Sequence, residues 1–278
     1  MNNMSLNIHS TLRLYNDVNI PCLGLGVWRT GPGDETRKAV DFALRSGYRH
    51  IDTAHFYKNE KDVGVALKQS GLDRKNVFIT TKLWNDDHGY DRALRAFHES
   101  LSLLNLTYVD LYLIHYPVSG KRSESWKALE KLYEEGLCRA IGVSNYTQRH
   151  LDELLQSARI KPMVNQVEFH PWLYQNELLN FCKTNGIVLE AYSPLTKGQK
   201  INAPELSKIA AVYQRSPVQI LIRWALQHGI VVLPKSAQPA RITENASVFD
   251  FNITDQDMAR LDAFNCNLRV AWDPTNTP

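Results

Sequence analysis

The feature that most constrains the fold is a regular alternation of short apolar runs with longer segments of helical period. The apolar runs have the length of buried strands, and they lie around 23–25, 49–51, 77–81, 109–114, 140–143, 163–167, 188–191 and 230–233. The segments between them carry apolar residues at the three- and four-residue spacing of amphipathic helices. Such alternation is typical of an α/β protein with a parallel sheet.

Three of the helical segments carry specific signals. Ser216-Pro217-Val218-Gln219 combines a capping box with a proline at the first helical position. Thr254 begins a last helix that carries Met258 and Leu261 inward. A further helix has one apolar face, made of Tyr90, Leu94, Phe97, Leu101 and Leu104.

The N-terminal segment differs from the rest, because residues 11–14 alternate and 18–21 pair back across a turn as a β-hairpin. Eight strand–helix units in about 250 residues predict a (β/α)8 TIM barrel whose bottom is closed by this hairpin. The competing fold, an open doubly wound sheet, usually has a G-x-G-x-x-G turn after its first strand. Residues 24–28 read G-L-G-V-W instead. No linker divides the sequence, so we expect one domain over residues 1–278.

Composition and charge limit the partners. Hydrophobic content of 44%, charged content of 22% and a net charge of +3 fit a soluble globular protein and are too mild to indicate nucleic acid or a membrane surface. The sequence shows no secretory signal and no apolar run of about 18 residues. Its four cysteines lack C-x-x-C spacing, so we expect reduced thiols in a cytoplasmic protein.

Polar, ionisable or aromatic residues stand at the C-terminal end of every predicted strand, which is the edge where such barrels carry their chemistry. They are Trp28, Asp52, Lys82, His115, Ser144, Asn145, Gln166, Tyr192, Ser193, Lys235 and Ser236. A few such residues occur by chance. Packing alone does not explain one at every strand.

Asp52 ends a buried strand and needs a partner, because an unpaired buried carboxylate is costly. Lys82 ends the neighbouring strand and is the expected partner, although a self-satisfying ion pair explains those two residues equally well. Tyr57 and His115 favour a catalytic site. An ammonium about 4 Å from Tyr57, at an effective dielectric constant of about 20, favours the phenolate by up to about 4 kcal/mol. As an upper bound opposed by burial, this brings the tyrosine pKa toward roughly 7 and makes Tyr57 a proton donor.

A hydrolytic metal site is the alternative for this part of the chain, with His50, Asp52, His55 and His115 as ligands. Two observations weigh against it. His55 lies beyond the end of the strand that carries His50 and Asp52, and Lys82 adds a cation where a metal needs neutral or anionic ligands. We expect no metal.

The second half of the chain has the residue types of a binding surface. Ser144, Asn145 and Gln166 offer hydroxyl and amide groups suited to a carboxamide, and Tyr192 is suited to stack on a planar ring. A basic group near a helix start, suited to a phosphate, consists of Lys235, Ser236 and Arg241, with Glu244 and Asn245 beside it. A solvated basic edge explains this last group equally well.

Seven motifs, in order, resemble those of the aldo-keto reductase family. They are G-Y-R-H-I-D-T-A-H-F-Y-K-N-E (47–60), T-T-K-L-W-N (80–85), V-D-L-Y-L-I-H-Y-P (109–117), A-I-G-V-S-N-Y (140–146), V-N-Q-V-E-F-H-P (164–171), A-Y-S-P-L (191–195) and L-P-K-S-A-Q-P-A-R-I-T-E-N (233–245). The chain looks most like the compact bacterial and protist branch that includes 2,5-diketo-gluconate reductases, glyoxal reductases and prostaglandin F synthases.

The resemblance implies a catalytic tetrad in which Tyr57 is the general acid, Lys82 tunes it, Asp52 holds Lys82 and His115 orients the carbonyl. It also implies an NADPH site. The residues implied are Ser144, Asn145 and Gln166 at the carboxamide, Tyr192 on the nicotinamide ring, Ser193, Leu195 and Lys197 along the pyrophosphate, Lys235, Ser236 and Arg241 at the 2′-phosphate, and Glu244 and Asn245 at the adenine.

The substrate pocket implied by the resemblance is lined by Trp28, Trp84, His115 and Tyr116, with Trp272 as a further candidate and His88 near the rim. Tyr116 replaces the tryptophan of many members, and the segment after Pro117 and the C-terminal tail are short, which suggests an open pocket. Trp126 and Trp224 are assigned to the core. We therefore expect a monomeric NADPH-dependent reductase of a small carbonyl substrate. The alternative is an NADPH-binding redox sensor of the same fold with very slow turnover.

Overall fold

The computed structural model describes residues 6–278, and its centre is a ring of eight parallel strands. The ring consists of β3 Leu25–Gly26, β4 His50–Asp52, β5 Phe78–Leu83, β6 Val109–Ile114, β7 Cys138–Ser144, β8 Val164–Glu168, β9 Val188–Tyr192 and β10 Val231–Leu233. Two earlier strands, β1 Thr11–Arg13 and β2 Asn19–Pro21, form a separate sheet. The helices are α1 Asp34–Arg45, α2 Glu60–Gln69, α3 Tyr90–Leu104, α4 Arg122–Glu134, α5 Gln148–Ser157, α6 Asn176–Thr184, α7 Pro204–Val212, α8 Pro217–Gln227, α9 Pro239–Ala246 and α10 Asp255–Asp262.

The sheet closes on itself. Strands β3 to β10 pair with their sequence neighbours in parallel. The first and last strands then meet, since Gly24 N donates to Val232 O at 3.0 Å and Val232 N donates to Cys22 O at 2.8 Å. The prediction of a (β/α)8 barrel is confirmed, and the open doubly wound sheet is excluded.

The N-terminal hairpin covers the bottom of the barrel, as predicted. β1 and β2 pair antiparallel. The turn between them places Tyr15 and Asn16 against the starts of two barrel strands: the Tyr15 hydroxyl donates to Lys161 O at 2.5 Å, and Asn16 Nδ2 donates to Arg139 O at 2.9 Å. The opposite end of the barrel, where the strands finish, is left for the site.

The helix signals are confirmed with one exception. Ser216 and Gln219 form the predicted capping box, and Thr254 accepts a hydrogen bond from Asp257 N at the start of α10. The prediction that Tyr90 belongs to the apolar face of this helix is wrong, because Tyr90 is 38% exposed at the first position of α3. A helical side chain covers the turn before its own Cα, and a first residue has no such turn to cover.

None of the helices within residues 6–278 is long and apolar enough to cross a membrane. The core fills the barrel interior below the strand ends and the layer between strands and helices. All six residues of β6 are buried, as expected for a strand covered on both faces.

We expect Gly64→Ala to destabilise the protein. Alanine normally favours a helix over glycine by about 0.5–1 kcal/mol. In α2, however, a Cβ at Gly64 lies 2.2 Å from Leu104 O at the end of α3. Overpacking against backbone costs about 1–3 kcal/mol and reverses the usual sign. Urea unfolding measures the change.

The matched control is Lys68→Ala, which removes an exposed side chain from the same helix and leaves the unfolding midpoint nearly unchanged. A Gly64→Ala protein as stable as the parent would show that α2 and α3 do not approach as closely as described.

Candidate active site

A cavity of about 630 Å3 opens where the barrel strands end. Predicted site residues from both halves of the chain line it together. They are Trp28, Asp52, Tyr57, His115, Ser144, Asn145, Gln166, Tyr192, Ser193, Leu195, Lys197, Lys235, Ser236, Arg241, Glu244, Asn245 and Trp272. Lys82 lies behind this lining and is fully buried.

Lys82 is the partner that Asp52 requires. Its ammonium donates to both Asp52 oxygens, at 2.7 and 2.8 Å, and to Thr53 O at 2.8 Å. The barrel produces this contact because β4 and β5 pair in register and present the two side chains at adjacent strand ends. The Tyr57 hydroxyl lies 3.5 Å from the same Nζ, a longer contact than the other three.

Tyr57 sits at the end of a 3₁₀ turn, His55–Tyr57, that follows β4 directly. Burial raises the pKa of Tyr57 well above its usual value, and the Asp52 carboxylate raises it further. The expectation that Lys82 lowers this pKa toward 7 is therefore wrong. Asp52 offsets the charge of Lys82, and the cost of burying a phenolate outweighs the remaining attraction. Tyr57 holds its proton until a stronger base is presented.

His115 is neutral at the same end of the cavity. Burial lowers its pKa well below the usual value, and the Lys82 ammonium lowers it further. Its ring lies 5.7 Å from that of Tyr57, centroid to centroid. A neutral imidazole at this position is able to donate one hydrogen bond to a polar atom in the cavity.

The part of the cavity lined by Asn145 and Gln166, here called the amide end, is held in place by hydrogen bonds within the protein. Asn145 adopts a left-handed backbone conformation, with φ of 63°, which turns its side chain inward. Its Nδ2 donates to His115 O at 2.9 Å, and its Oδ1 accepts from the Tyr192 hydroxyl at 2.7 Å. The Ser144 hydroxyl donates to the main-chain oxygen of Gln166 at 2.8 Å.

Glu190 is a site residue that sequence reasoning missed. It projects from β9 into the barrel interior and is fully buried. The Gln166 side-chain amide donates to it at 2.9 Å and to Asp52 at 2.8 Å. Burial raises the pKa of Glu190 to about 8, and the charge of Asp52 adds to this effect. The available signal was an acidic residue inside the apolar run of residues 188–191.

Two cations line the part of the cavity beside β10 and α9, here called the far end. Lys235 follows β10 and Arg241 lies in the first turns of α9, both exposed and neither forming an ion pair with any of residues 6–278. Lys197 and Arg29 also line the cavity, and Arg29 was missed because it follows the strand-end residue Trp28. Its guanidinium lies 4.5 Å from the centre of the Trp28 ring, and the Lys197 ammonium lies 4.8 Å from that ring.

An aromatic cluster surrounds the end of the cavity that holds His115. Trp272 lies 5.5 Å from His115 and 5.9 Å from Trp84, between ring centroids. Phe56, which sequence reasoning missed, stacks on Trp84 at 3.7 Å. Trp84 and Tyr116 do not line the cavity themselves, but both contact Trp272, which does.

The C-terminal segment reaches this position through a buried acid. Glu168, at the end of β8, accepts hydrogen bonds from Val270 N at 2.7 Å and Ala271 N at 2.9 Å. These contacts place the next residue, Trp272, over the cavity. The tail therefore forms part of the pocket, as the resemblance suggested for Trp272.

The placement of His88 near the rim is wrong. His88 is buried beside α4, where its Nδ1 lies 3.0 Å from the Ser125 hydroxyl. Trp126 and Trp224 belong to the core, as expected. Within residues 6–278, no group of three or more His, Cys, Asp or Glu side chains is arranged to hold a metal ion.

Comparisons with known proteins agree with this geometry. The profile of the Aldo/keto reductase family matches residues 22–202 and 199–265. Glyoxal reductase of Bacillus subtilis (strain 168) is 50% identical over 271 residues, which cover 98% of each chain. An aldo-keto reductase from a Medee basin deep-sea metagenome library has a structure that matches with a TM-score of 0.93 and 43% identity, covering 96% of this chain and 99% of that one.

A further solved structure brings in a cofactor. The Bombyx mori aldo-keto reductase, determined in complex with NADP, matches with a TM-score of 0.89 and 35% identity over 96% of both chains. Profile, relatives and structures agree over nearly the whole chain, and the relatives are named as reductases. The protein is an oxidoreductase and belongs to the aldo/keto reductase family.

Proposed function

We propose that this protein reduces aldehydes and ketones to alcohols with NADPH, and that Tyr57 is the proton donor. One observation carries the proposal: Tyr57, Lys82 and Asp52 form a continuous chain of contacts at the base of a cavity that also contains a neutral His115. Reduction of a carbonyl group requires a proton donor at the oxygen and a means of stabilising the donor after it loses the proton.

Each of these residues has a distinct part in the proposed reaction. The Tyr57 hydroxyl and the His115 imidazole donate hydrogen bonds to the carbonyl oxygen and fix its position. Tyr57 then gives its proton to that oxygen as negative charge develops, because an alkoxide is a much stronger base than a phenolate. The Lys82 ammonium, 3.5 Å away, stabilises the phenolate that remains, and Asp52 holds Lys82 in place.

The donor set of the cavity fits a nicotinamide cofactor. Gln166 lines the cavity, and its side-chain oxygen accepts no hydrogen bond from residues 6–278, so it is available to a carboxamide N–H. At the far end, Lys235 and Arg241 would hold a phosphate. When bound, the reduced nicotinamide supplies the hydride. A 2′-phosphate distinguishes NADPH from NADH, and these two cations favour NADPH.

The substrates we propose are small carbonyl compounds. Trp28, His115 and Trp272 line the catalytic end with largely apolar surface, and the relationship to a glyoxal reductase makes 2-oxoaldehydes the first compounds to assay. We expect a monomer with one domain over residues 1–278.

We expect Tyr57→Phe to abolish reduction while leaving cofactor binding nearly unchanged. General acid catalysis contributes about 10²–10⁴-fold, so turnover falls by at least about a hundredfold. The measurement is NADPH consumption at 340 nm with a panel of aldehydes and ketones, alongside the dissociation constant for NADPH.

The control is Tyr15→Phe, which removes a hydroxyl at the opposite end of the barrel. Near-normal turnover in Tyr57→Phe contradicts the assignment of the acid. Tight NADPH binding by the parent protein with almost no turnover on any carbonyl points instead to a cofactor-binding redox sensor.

We expect the double variant Lys235→Ala, Arg241→Ala to lose NADPH affinity by at least about tenfold and to keep its NADH affinity. Hydrogen bonds to charged groups contribute about 1.5–3 kcal/mol each, and only NADPH has the phosphate that receives them. Fluorescence titrations with both cofactors measure the effect. Lys183→Ala, an exposed lysine on α6, is the control, and equal losses for the two cofactors contradict the phosphate assignment.

A further inference from the structure

The barrel interior holds a carboxyl group that the proposed reaction does not use. Glu190 on β9 stands directly beside Gln166 on β8, because the two residues are partners in the parallel register. Glu190 is fully buried, and its Oε1 has no hydrogen-bond partner among residues 6–278. A buried carboxyl with one unsatisfied oxygen is costly, which calls for an explanation.

Glu190 and Asp52 together fix the orientation of the Gln166 amide. That amide has two N–H groups, and both are used, one by Asp52 Oδ2 and one by Glu190 Oε2. Its oxygen is consequently turned toward the cavity. The opposite orientation brings the amide oxygen against the Asp52 carboxylate, so the two acids select the orientation that presents an acceptor to a ligand.

An ionised Glu190 would have no cationic partner comparable to Lys82, which balances the charge of Asp52. His50 on β4 is the nearest basic group facing it, with Nε2 3.9 Å from Oε1, but burial together with the charge of Lys82 lowers the pKa of His50 to about 3. Near neutral pH Glu190 therefore keeps its proton. Above about pH 8 the interior beneath the cavity gains one negative charge.

We propose that Glu190 is a positioning residue which, through Gln166, sets the relative affinity of the protein for oxidised and reduced nicotinamide. The proposal rests on the proposed function, in which Gln166 contacts the nicotinamide. The oxidised ring carries a positive charge and the reduced ring is neutral. Ionisation of Glu190 therefore favours the oxidised cofactor, and a rise in pH shifts the preference toward NADP⁺.

The test is direct binding of NADP⁺ and NADPH between pH 6.5 and 9.5. In the parent protein, the ratio of the NADP⁺ to the NADPH dissociation constant falls on the order of tenfold as pH rises. Taking the ratio cancels the effect of 2′-phosphate titration on affinity, because both cofactors carry that group. The pKa of His115 is held well below this window and that of Tyr57 well above it, so neither contributes.

In Glu190→Gln the same ratio does not change with pH, because the side chain has no proton to lose. The new amide still offers an oxygen to Gln166, so NADPH affinity at pH 6.5 stays within about threefold of the parent. Glu130→Gln is the matched control: it neutralises a buried carboxyl on α4, outside the cavity lining, and keeps the parent slope.

A parent-like slope in Glu190→Gln, or a flat ratio in the parent, overturns the proposal. Failure of the parent to bind either cofactor contradicts the proposed function instead, so the two failures are distinguishable.

Thermal unfolding of the ligand-free protein tests whether Glu190 titrates as described. A glutamate in an unfolded chain ionises near pH 4.5, whereas the native protein keeps this proton up to about pH 8. The stability that the proton contributes is complete below pH 4.5 and is lost as pH rises to about 8. The Tm of the parent therefore falls relative to that of Glu190→Gln between pH 5 and 8. A constant difference overturns the proposal, and Glu190→Met replaces Glu190→Gln if the latter does not fold.

Discussion

The ion pair between Lys82 and Asp52 is the interaction on which the site depends. A lysine with no exposed surface is tolerated in a barrel interior only when its charge is paired and its donors are satisfied. Here the two Asp52 oxygens and Thr53 O accept hydrogen bonds from the ammonium, and the Tyr57 hydroxyl makes a longer contact with it at 3.5 Å. The same Asp52 carboxylate accepts from Gln166 on the other side. One buried pair thus connects Tyr57 at one side of the cavity with Gln166 at the other.

Parallel pairing of β4 with β5 makes that pair possible, and segments outside the sheet complete the pocket. The strand ends hold polar groups in positions set by the register of the sheet. Part of the aromatic surface comes from segments outside the sheet: Phe56 lies on the turn after β4, and Trp272 lies on the tail. Glu168 joins the two systems, because it lies in β8 and binds the backbone of the tail.

The sequence predicted the features that follow from local pattern. Strand positions, the capping box at Ser216 and the residues at the strand ends all follow from periodicity and flanking residues. Contacts between distant segments left no such signal: Glu168 and Val270 are 102 residues apart, and neither residue type indicates the pairing. Glu190 was missed because an acid within an apolar run has no meaning until the register places it beside Gln166. The predicted lowering of the Tyr57 pKa was wrong because the sequence does not show how deeply Tyr57 is buried or that Asp52 offsets the charge of Lys82.

The raised pKa of Tyr57 follows from how charges are arranged in the site. The charges of Lys82 and Asp52 nearly cancel, so Tyr57 stays protonated and the interior stores little net charge. An interaction accelerates a reaction only if it is stronger in the transition state than before it. In the proposed reaction, charge appears on Tyr57 only as its proton leaves, and the fixed ammonium 3.5 Å away then gains an anion to stabilise without moving. A tyrosine that was already ionised would have lost the proton it must give, so the raised pKa is compatible with its role as an acid.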